Sequence, residues 1–527
     1  MNHFSSWGPK YFDDSWCVPS GDVIEADVCV YGGTAAGVIA AVTVTEEGKS
    51  CVLVHPGVHL GGMTTGGLSY TDIGNPEAIG GFSRRFYRTL GLRYGLDTAW
   101  AFEPHVATEE IYALIRRSSV SLRLCEFLVE VSCAGSRITE LRMHSGRRVR
   151  ARAFIDATYE GDLMAYAEVP YVIGRESAET FGEEYAGVRI HQTHQFDTPV
   201  SPYVKETDPS SGLLPMVKPA GVPTPEDLSL GAGDSSIQAY NFRVCLTDDR
   251  DRMIPFQKPD GYDRSHYVLA ARWLARTELD VFHKFDRITE KKTDTNNNGA
   301  VSTDYIGGSH AWPEADYRTR ELIFQDHRRY QQGLHWFMAN DPAVPEEVRR
   351  EYSRWGLAAD EFMLTAGWPH QLYVREARRM SSDVVITEQT CMRRVECDDP
   401  IGLASYQMDS HNCNRLAFAE SVFNEGDVQV LLPAPYGISY RSIVPPTGSV
   451  ENLLVPVCVS ASHIAFGSIR MEPVFMILAE SAGVAVSACL DRRCSLQNLP
   501  YRVLERRLIE RGQVLRSDKP NPAKLNP

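Results

Sequence analysis

The chain has 527 residues, enough for more than one domain, and its composition, 43% apolar and 23% charged, is ordinary for a soluble globular protein. A formal net charge of −14 argues against a general nucleic-acid or anionic-membrane binder. No run of 18 apolar residues is seen, so no transmembrane helix is expected.

Residues 1–24 read as a strap whose aromatics Phe4, Trp7, Tyr11, Phe12 and Trp16 pack on the body. With no basic n-region and no apolar h-region, the first residues do not read as a secretory signal. Asp27–Tyr31 is an apolar, β-branched run of the kind buried in parallel sheets. Gly32, Gly33, Thr34, Ala35, Ala36 and Gly37 follow at once, then a helix over Val38–Glu47 ended by Gly48, then a strand over Ser50–Val54. This is a βαβ unit whose turn and helix N-terminus suit a pyrophosphate. Gly32 and Gly37 match the first and third glycines of G-x-G-x-x-G, and Thr34 stands at the second. The position that usually carries an acidic ribose partner is His55, followed by Pro56. A glycine doublet, Gly61-Gly62, comes next with Met63 after it.

Further on, Ile79–Leu92 and Pro104–Ser118 read as helices, and Ser121–Ile155 alternates like strands and hairpins. Phe154–Thr158 is a strand ending in Asp-Ala-Thr before Gly161 and Asp162. The Pro-, Gly- and Ser-rich stretch from Pro199 to about Ser236 marks a boundary. A strand at Asn241–Thr247 opens a second module, with helical runs near Glu314–Met338 and Glu346–Trp355. Asn452–Pro456 is a strand, Ser460–His463 a turn, Pro473–Leu490 a core helix, and Arg507–Gln513 closes a last helix.

The segments YGGTAAG, HLGGMTTGGLSYTD, FIDATYEGDLMAYA, YVREARRM, YQMDSH and SASHIAFGSIRMEP together resemble the FAD-dependent oxidoreductase family, flavoproteins of the glutathione reductase and succinate dehydrogenase type. The resemblance runs from about Glu25 to Gln513. It implies an α/β fold: a Rossmann-type FAD-binding domain at 25–198, an inserted α+β substrate domain at 199–435, and a return of the FAD-binding domain at 436–513. It also implies that Gly61, Gly62 and Met63 form a second flavin motif, and that the backbone of Val129 meets the adenine edge. Ala157, Thr158, Gly161 and Asp162 would return to the FAD, and Gly467, Ser468 and Arg470 would sit where a helix N-terminus faces the flavin pyrimidine. His55 and Pro56 complete the expected cofactor set.

The expected activity is hydride transfer from a small polar organic substrate to flavin N5, the electron acceptor being left open. His411 or His463 is the candidate base, and Arg375, Arg470 or both would orient the substrate. Arg375 and Arg379 are read as sharing a helix face. Other classes remain open: net non-redox lyase or isomerase chemistry, which members' xanthan lyase label suggests, and flavin-dependent RNA modification. His59 is a candidate for covalent flavin attachment. Asp294–Gly299 resembles the start of a calcium loop, but Tyr305 stands where a glutamate is needed, and His191 and His194 lack a third ligand, so no metal is expected. Twelve cysteines without CxxC pairs, Cys29 and Cys51 among them in apolar strands, point to a reducing cytoplasm. The expected partner is a small molecule, with no nucleic acid and no membrane.

Overall fold

The computed structural model describes residues 8–521; Phe4 and Trp7 of the strap lie outside the described residues. A predominantly parallel sheet forms the base. Its strands are β1 (Val23–Tyr31), β2 (Cys51–Val54), β3 (Ser121–Arg123), β4 (Leu128–Ala134), β5 (Arg137–Met143) and β6 (Arg148–Asp156). The order is β3-β2-β1-β6-β5-β4. β1 is parallel to β2 and β6, with Val30 opposite Leu53 and Ile155, while β4 and β5 form an antiparallel flank. β1 runs from exposed Val23 to fully buried Val28–Tyr31, so its apolar end is the one that carries the glycine turn.

Helix α1 (Ala35–Glu46) leaves that turn, capped by Thr34 Oγ1, which accepts from the Gly37 N–H at 3.1 Å. α1 is apolar on every side because it is covered on every side. Its outer partner comes from the far end of the chain: α8 (Glu472–Arg492). A Cβ at Gly483 of α8 would lie 2.9 Å from the Thr43 side chain, so glycine lets the two helices cross closely. By length and composition α8 would also pass for a membrane-crossing helix, contrary to the sequence expectation, yet 94% of its apolar window is buried inside the protein. Each Val, Ile or Leu so buried is worth about 1.5–3 kcal/mol.

Four other helices complete this half: α2 (Gly62–Thr65), α3 (Gly81–Tyr94), α4 (Pro104–Arg117) and α5 (Asp162–Tyr166). The later chain crosses the molecule through α6 (Tyr317–Asn340) and β7 (Met408–Ser410). It rejoins the sheet as β8 (Leu453–Leu454), parallel to β6, and continues into α7 (His463–Ile469), α8 and α9 (Tyr501–Glu510). The intervening residues build a five-stranded sheet spanning Val244–Ala358, antiparallel throughout. Tyr240, Phe242 and Val244 belong to the same apolar cluster as Val30, Ile39 and Met63, so both halves share one core.

Several local readings are corrected. Residues 373–378 are irregular, with a bend at Ala377, and lead into a short strand at Arg379–Met380, so Arg375 and Arg379 share no helix face. Their guanidiniums go to different distant groups, which a helix could not satisfy. The run after Glu346 forms only Glu346–Tyr352, and the last helix ends at Glu510, before Gly512 with its φ of 81°. Asp294 lies on a buried strand and gives both carboxylate oxygens to Arg243, at 2.8 Å each.

Candidate active site

At the carboxyl ends of β1, β2 and β6 lies a cleft of about 630 Å3, part of it open to solvent. Open α/β sheets bind ligands at this position. Of the sequence-predicted residues, Gly32, Thr34, His55, Pro56 and Thr158 line it. Gly32 has a φ of 106°, and a Cβ there would sit 2.7 Å from the Thr158 nitrogen, so only glycine brings the two turns together. Gly37 is tighter still: its Cβ would meet the Gly32 carbonyl at 1.8 Å. Ala35 and Ala36 form the first turn of α1, at its positive end.

His55 is held as a neutral donor. Its Nδ1 accepts the Gly33 N–H at 2.9 Å, which leaves the proton on Nε2. Burial pushes its pKa down to about 4. The Gly33 amide is thereby spent inside the protein, and its carbonyl accepts from Gly61. Asp156, at the end of β6, staples the third turn by accepting from the Thr158 and Met164 N–H groups. Ala157 accepts from Thr34 Oγ1, and Gly161 donates to Thr158 Oγ1 at a φ of 70°.

The structure also enlarges the cleft beyond its predicted lining. Lys10 and Tyr11 of the strap line it, as do His59, Tyr159, Phe324 and His370. His59 and His370 stack with ring centroids 4.1 Å apart, and His370 Nε2 is buried without a partner. Tyr159 occupies the place of the usual third-turn glycine. Its hydroxyl accepts from the Met63 N–H at 2.9 Å and donates to Glu472 Oε1 at 2.6 Å. Thr64 Oγ1 donates to the other oxygen of Glu472. Burial, opposed by these two hydrogen bonds, leaves Glu472 raised to about 7. This Tyr159–Glu472–Thr64 network joins the second glycine motif to the start of α8, and nothing local in the sequence announced it.

Other predicted cofactor residues stand behind this lining. Gly61 and Gly62 adopt positive φ at the start of α2, and Gly62 makes room for the Tyr159 ring, but neither lines the cleft. Val129 lies at a bulge between β4 and β5, outside the lining. Both oxygens of Asp162 are taken: Arg320 binds them at 2.7 and 2.9 Å and Arg378 at 2.8 Å, tying α6 to the β6 turn. Ser468 donates to the Tyr406 carbonyl and is fully buried.

A second constellation gathers the predicted catalytic residues. The chain leads to it from the cleft, since His370 and Gln371 line the cleft and Tyr373 and Arg375 follow. His411 Nδ1 lies 2.6 Å from Asp304 Oδ2, and its Nε2 lies 3.4 Å from Asp409 Oδ2. Arg470 grips that same Asp409 oxygen at 2.6 Å and donates to the Tyr373 hydroxyl at 2.9 Å. Arg375 sits over the Tyr373 ring, 4.7 Å from its centroid, with Nη2 3.0 Å from Asp304 Oδ1. That last pair is an ion pair without hydrogen-bond alignment, and both atoms lack a hydrogen bond. Burial alone would raise Asp304, but the Arg375 charge and the contact with His411 outweigh it and hold the carboxyl at about 2. Burial is likewise overcome at Asp409, where His411 and Arg470 keep the carboxyl well below its usual range.

His463 does not join this group. Its Nε2 is 2.9 Å from Ser410 Oγ and its Nδ1 is 2.8 Å from Glu376 Oε2. Burial pushes its pKa down to about 3, and both ring nitrogens are engaged within the protein. Among the described residues, one group has metal-ligand spacing: Glu103, His105 and Glu361. The Lys292 ammonium lies 2.7 Å from Glu103 and 2.8 Å from Glu361 and serves as the cation there.

A parallel sheet, a glycine turn opening α1, and a lined cleft at the strand ends define a dinucleotide-binding α/β enzyme. The buried, unpartnered His370 Nε2 and the α1 N-terminus in that cleft fit an anionic, acceptor-rich cofactor. The family model "FAD dependent oxidoreductase" matches residues 27–508, and the chain belongs to that family. The cofactor is accordingly FAD and the chemistry that of a redox flavoenzyme. No curated protein matches the chain. Among solved structures, it is similar to L-amino acid deaminase from Proteus myxofaciens at 14% identity, over 27% of this chain and 48% of that one, with a TM-score of 0.22. It is also similar to NikD, an unusual amino acid oxidase, at 13% identity over 29% and 57%, with a TM-score of 0.23. L-proline dehydrogenase from P. horikoshii matches at 14% identity over 30% and 25%, with a TM-score of 0.18. The matched stretch spans about half the length of the deaminase.

Proposed function

We propose that the chain oxidises a small polar organic substrate, with Asp304–His411 as the proton-accepting dyad. The observation that carries this reading is the 2.6 Å contact between Asp304 Oδ2 and His411 Nδ1. An Asp304 carboxylate fixes the neutral ring with its proton on Nδ1 and its lone pair on Nε2. An imidazolium formed by taking a substrate proton would face two carboxylates, Asp304 and Asp409. Arg470 keeps Asp409 in place, and Arg375 keeps Asp304 charged. Both His463 nitrogens are held at 2.9 Å or less, whereas Nε2 of His411 lies at the longer 3.4 Å from Asp409, so of the two histidines we take His411 as the base. FAD supplies the hydride acceptor. In the cleft, the first turn of α1 would receive the pyrophosphate, and the Nε2–H of His55 would donate to a ribose hydroxyl where related enzymes accept with a carboxylate. Twelve free thiols support a reducing, cytoplasmic setting.

The test is an anaerobic screen of small hydroxyl- and amine-bearing substrates that follows flavin absorbance. Bleaching by one substrate class, lost in His411→Asn, is the expected result. Turnover without any bleaching would overturn hydride transfer in favour of net non-redox chemistry.

A further inference from the structure

A second cleft, larger than the first, encloses about 1540 Å3, part of it open to solvent. The strap and α6 divide the two. Lys10, Tyr11 and Phe324 line the cofactor cleft, whereas Gly8, Gln325 and Arg328 line this one. Its wall carries the flat rings of Phe256 and Trp368. Phe256 stacks on His335 with centroids 5.0 Å apart, and Trp368 packs edge-on against Phe242.

Three polar atoms in this lining are buried without a partner: Arg328 Nε, His335 Nε2 and Trp368 Nε1. His335 and Trp368 are 0% and 2% exposed. The arginine and tryptophan nitrogens can only donate. A buried donor with no acceptor costs about 1–3 kcal/mol, so this wall is built for acceptor oxygens. Charge points the same way. Lys258, Arg328 and Arg329 face a single acidic lining residue, Asp260. Arg329 is paired with Asp326 at 3.1 Å, but Lys258 and Arg328 form no ion pair among the described residues. Lys258 is instead held 4.8 Å from the centroids of the Tyr262 and Trp336 rings.

We propose that this cleft is a second binding site, for a flat apolar molecule bearing a carboxylate or phosphate. The ring lies against Phe256 and Trp368, and the anion meets Lys258, Arg328 and the Trp368 N–H. The site is separate from the His411 constellation and independent of the reaction assigned there.

Calorimetric titration of the FAD-loaded protein tests it with three probes: 2-naphthoate, its neutral counterpart 2-naphthalenemethanol, and inorganic phosphate. Naphthoate should saturate one site, with the alcohol and phosphate each about tenfold weaker or worse, because charge-assisted bonding and ring contact are both needed. Lys258→Glu, a change on an exposed side chain, should weaken naphthoate about tenfold and leave the flavin spectrum unchanged. Trp368→Phe keeps a ring but removes the N–H, and should weaken it about three- to tenfold. No binding of naphthoate, or equal binding by the wild type and both variants, overturns the proposal. So does phosphate binding as tightly as naphthoate, since the ring would then count for nothing.

Discussion

The nucleotide half and the inserted half of this molecule satisfy their polar groups in opposite ways. Around the cofactor cleft the decisive elements are backbone turns: Gly32, Gly37, Gly61 and Gly161 create space or positive φ, and Asp156 staples amides. In the inserted half, and where it meets the sheet, the decisive elements are buried ion pairs between distant residues. Arg175 binds Asp234 and Glu425, Arg243 binds Asp294, Arg320 binds Asp162, and Arg375 faces Asp304. A glycine turn fails by steric crowding from one added atom. A buried ion pair fails by abandonment, when one partner is removed and the other stays charged.

Four experiments sharpen that contrast. The largest effect is expected in chemistry: His411→Asn should lower the rate of anaerobic flavin bleaching by about 100- to 10,000-fold, the range for loss of a general base, with flavin content intact. Next, Asp162→Ala strands Arg320, leaves Arg378 only Glu314 as a carboxylate partner, and should cost about 3–5 kcal/mol in denaturant melts; replacing Arg320 with Met in the same chain should recover part of the loss. Gly37→Ala should cost about 1–3 kcal/mol and lower the flavin recovered per mole of protein, as overpacking does. Gly21→Ala, with no atom within 4 Å of the new carbon, is the neutral control. The smallest effect is in pH dependence. Glu472 is raised from 4.5 to about 7, so the folded protein holds its proton more tightly than the unfolded chain does. Stability should therefore fall as pH rises from about 4.5 to 7, and level off above that. Glu472→Gln should flatten this slope in a Tm-against-pH series. A slope unchanged by the substitution would assign the effect to other groups, such as Asp156, which burial raises to about 6.

Legibility in the sequence divides along the same line. The βαβ unit could be read because its signals are local: a β-branched run, two glycines five residues apart and a second apolar strand. Cys29 and Cys51 were recognisable as core residues for the same reason. The segment Tyr373–Met380 could not be read locally. Its arginines pair with Asp304, Asp162 and Glu176, and those partners, not helical propensity, fix its non-helical path. Asp304 itself was invisible as a member of the dyad, because only the fold brings it to a histidine 107 positions away. Asp162 shows the converse: expected beside the cofactor, it opens α5 and its charge is used for anchoring.

The pairing of α1 with α8 has a bearing on how the chain is made. α1 ends at Glu46, and the helix that shelters it closes on it through Gly483. At ordinary ribosomal speeds of 5–20 residues per second, roughly 20–90 s separate the synthesis of the two. For that interval the most apolar part of the nucleotide half has emerged without its cover. The pair can therefore close only when the chain is nearly complete, and yield in a heterologous host should respond to chaperone supply.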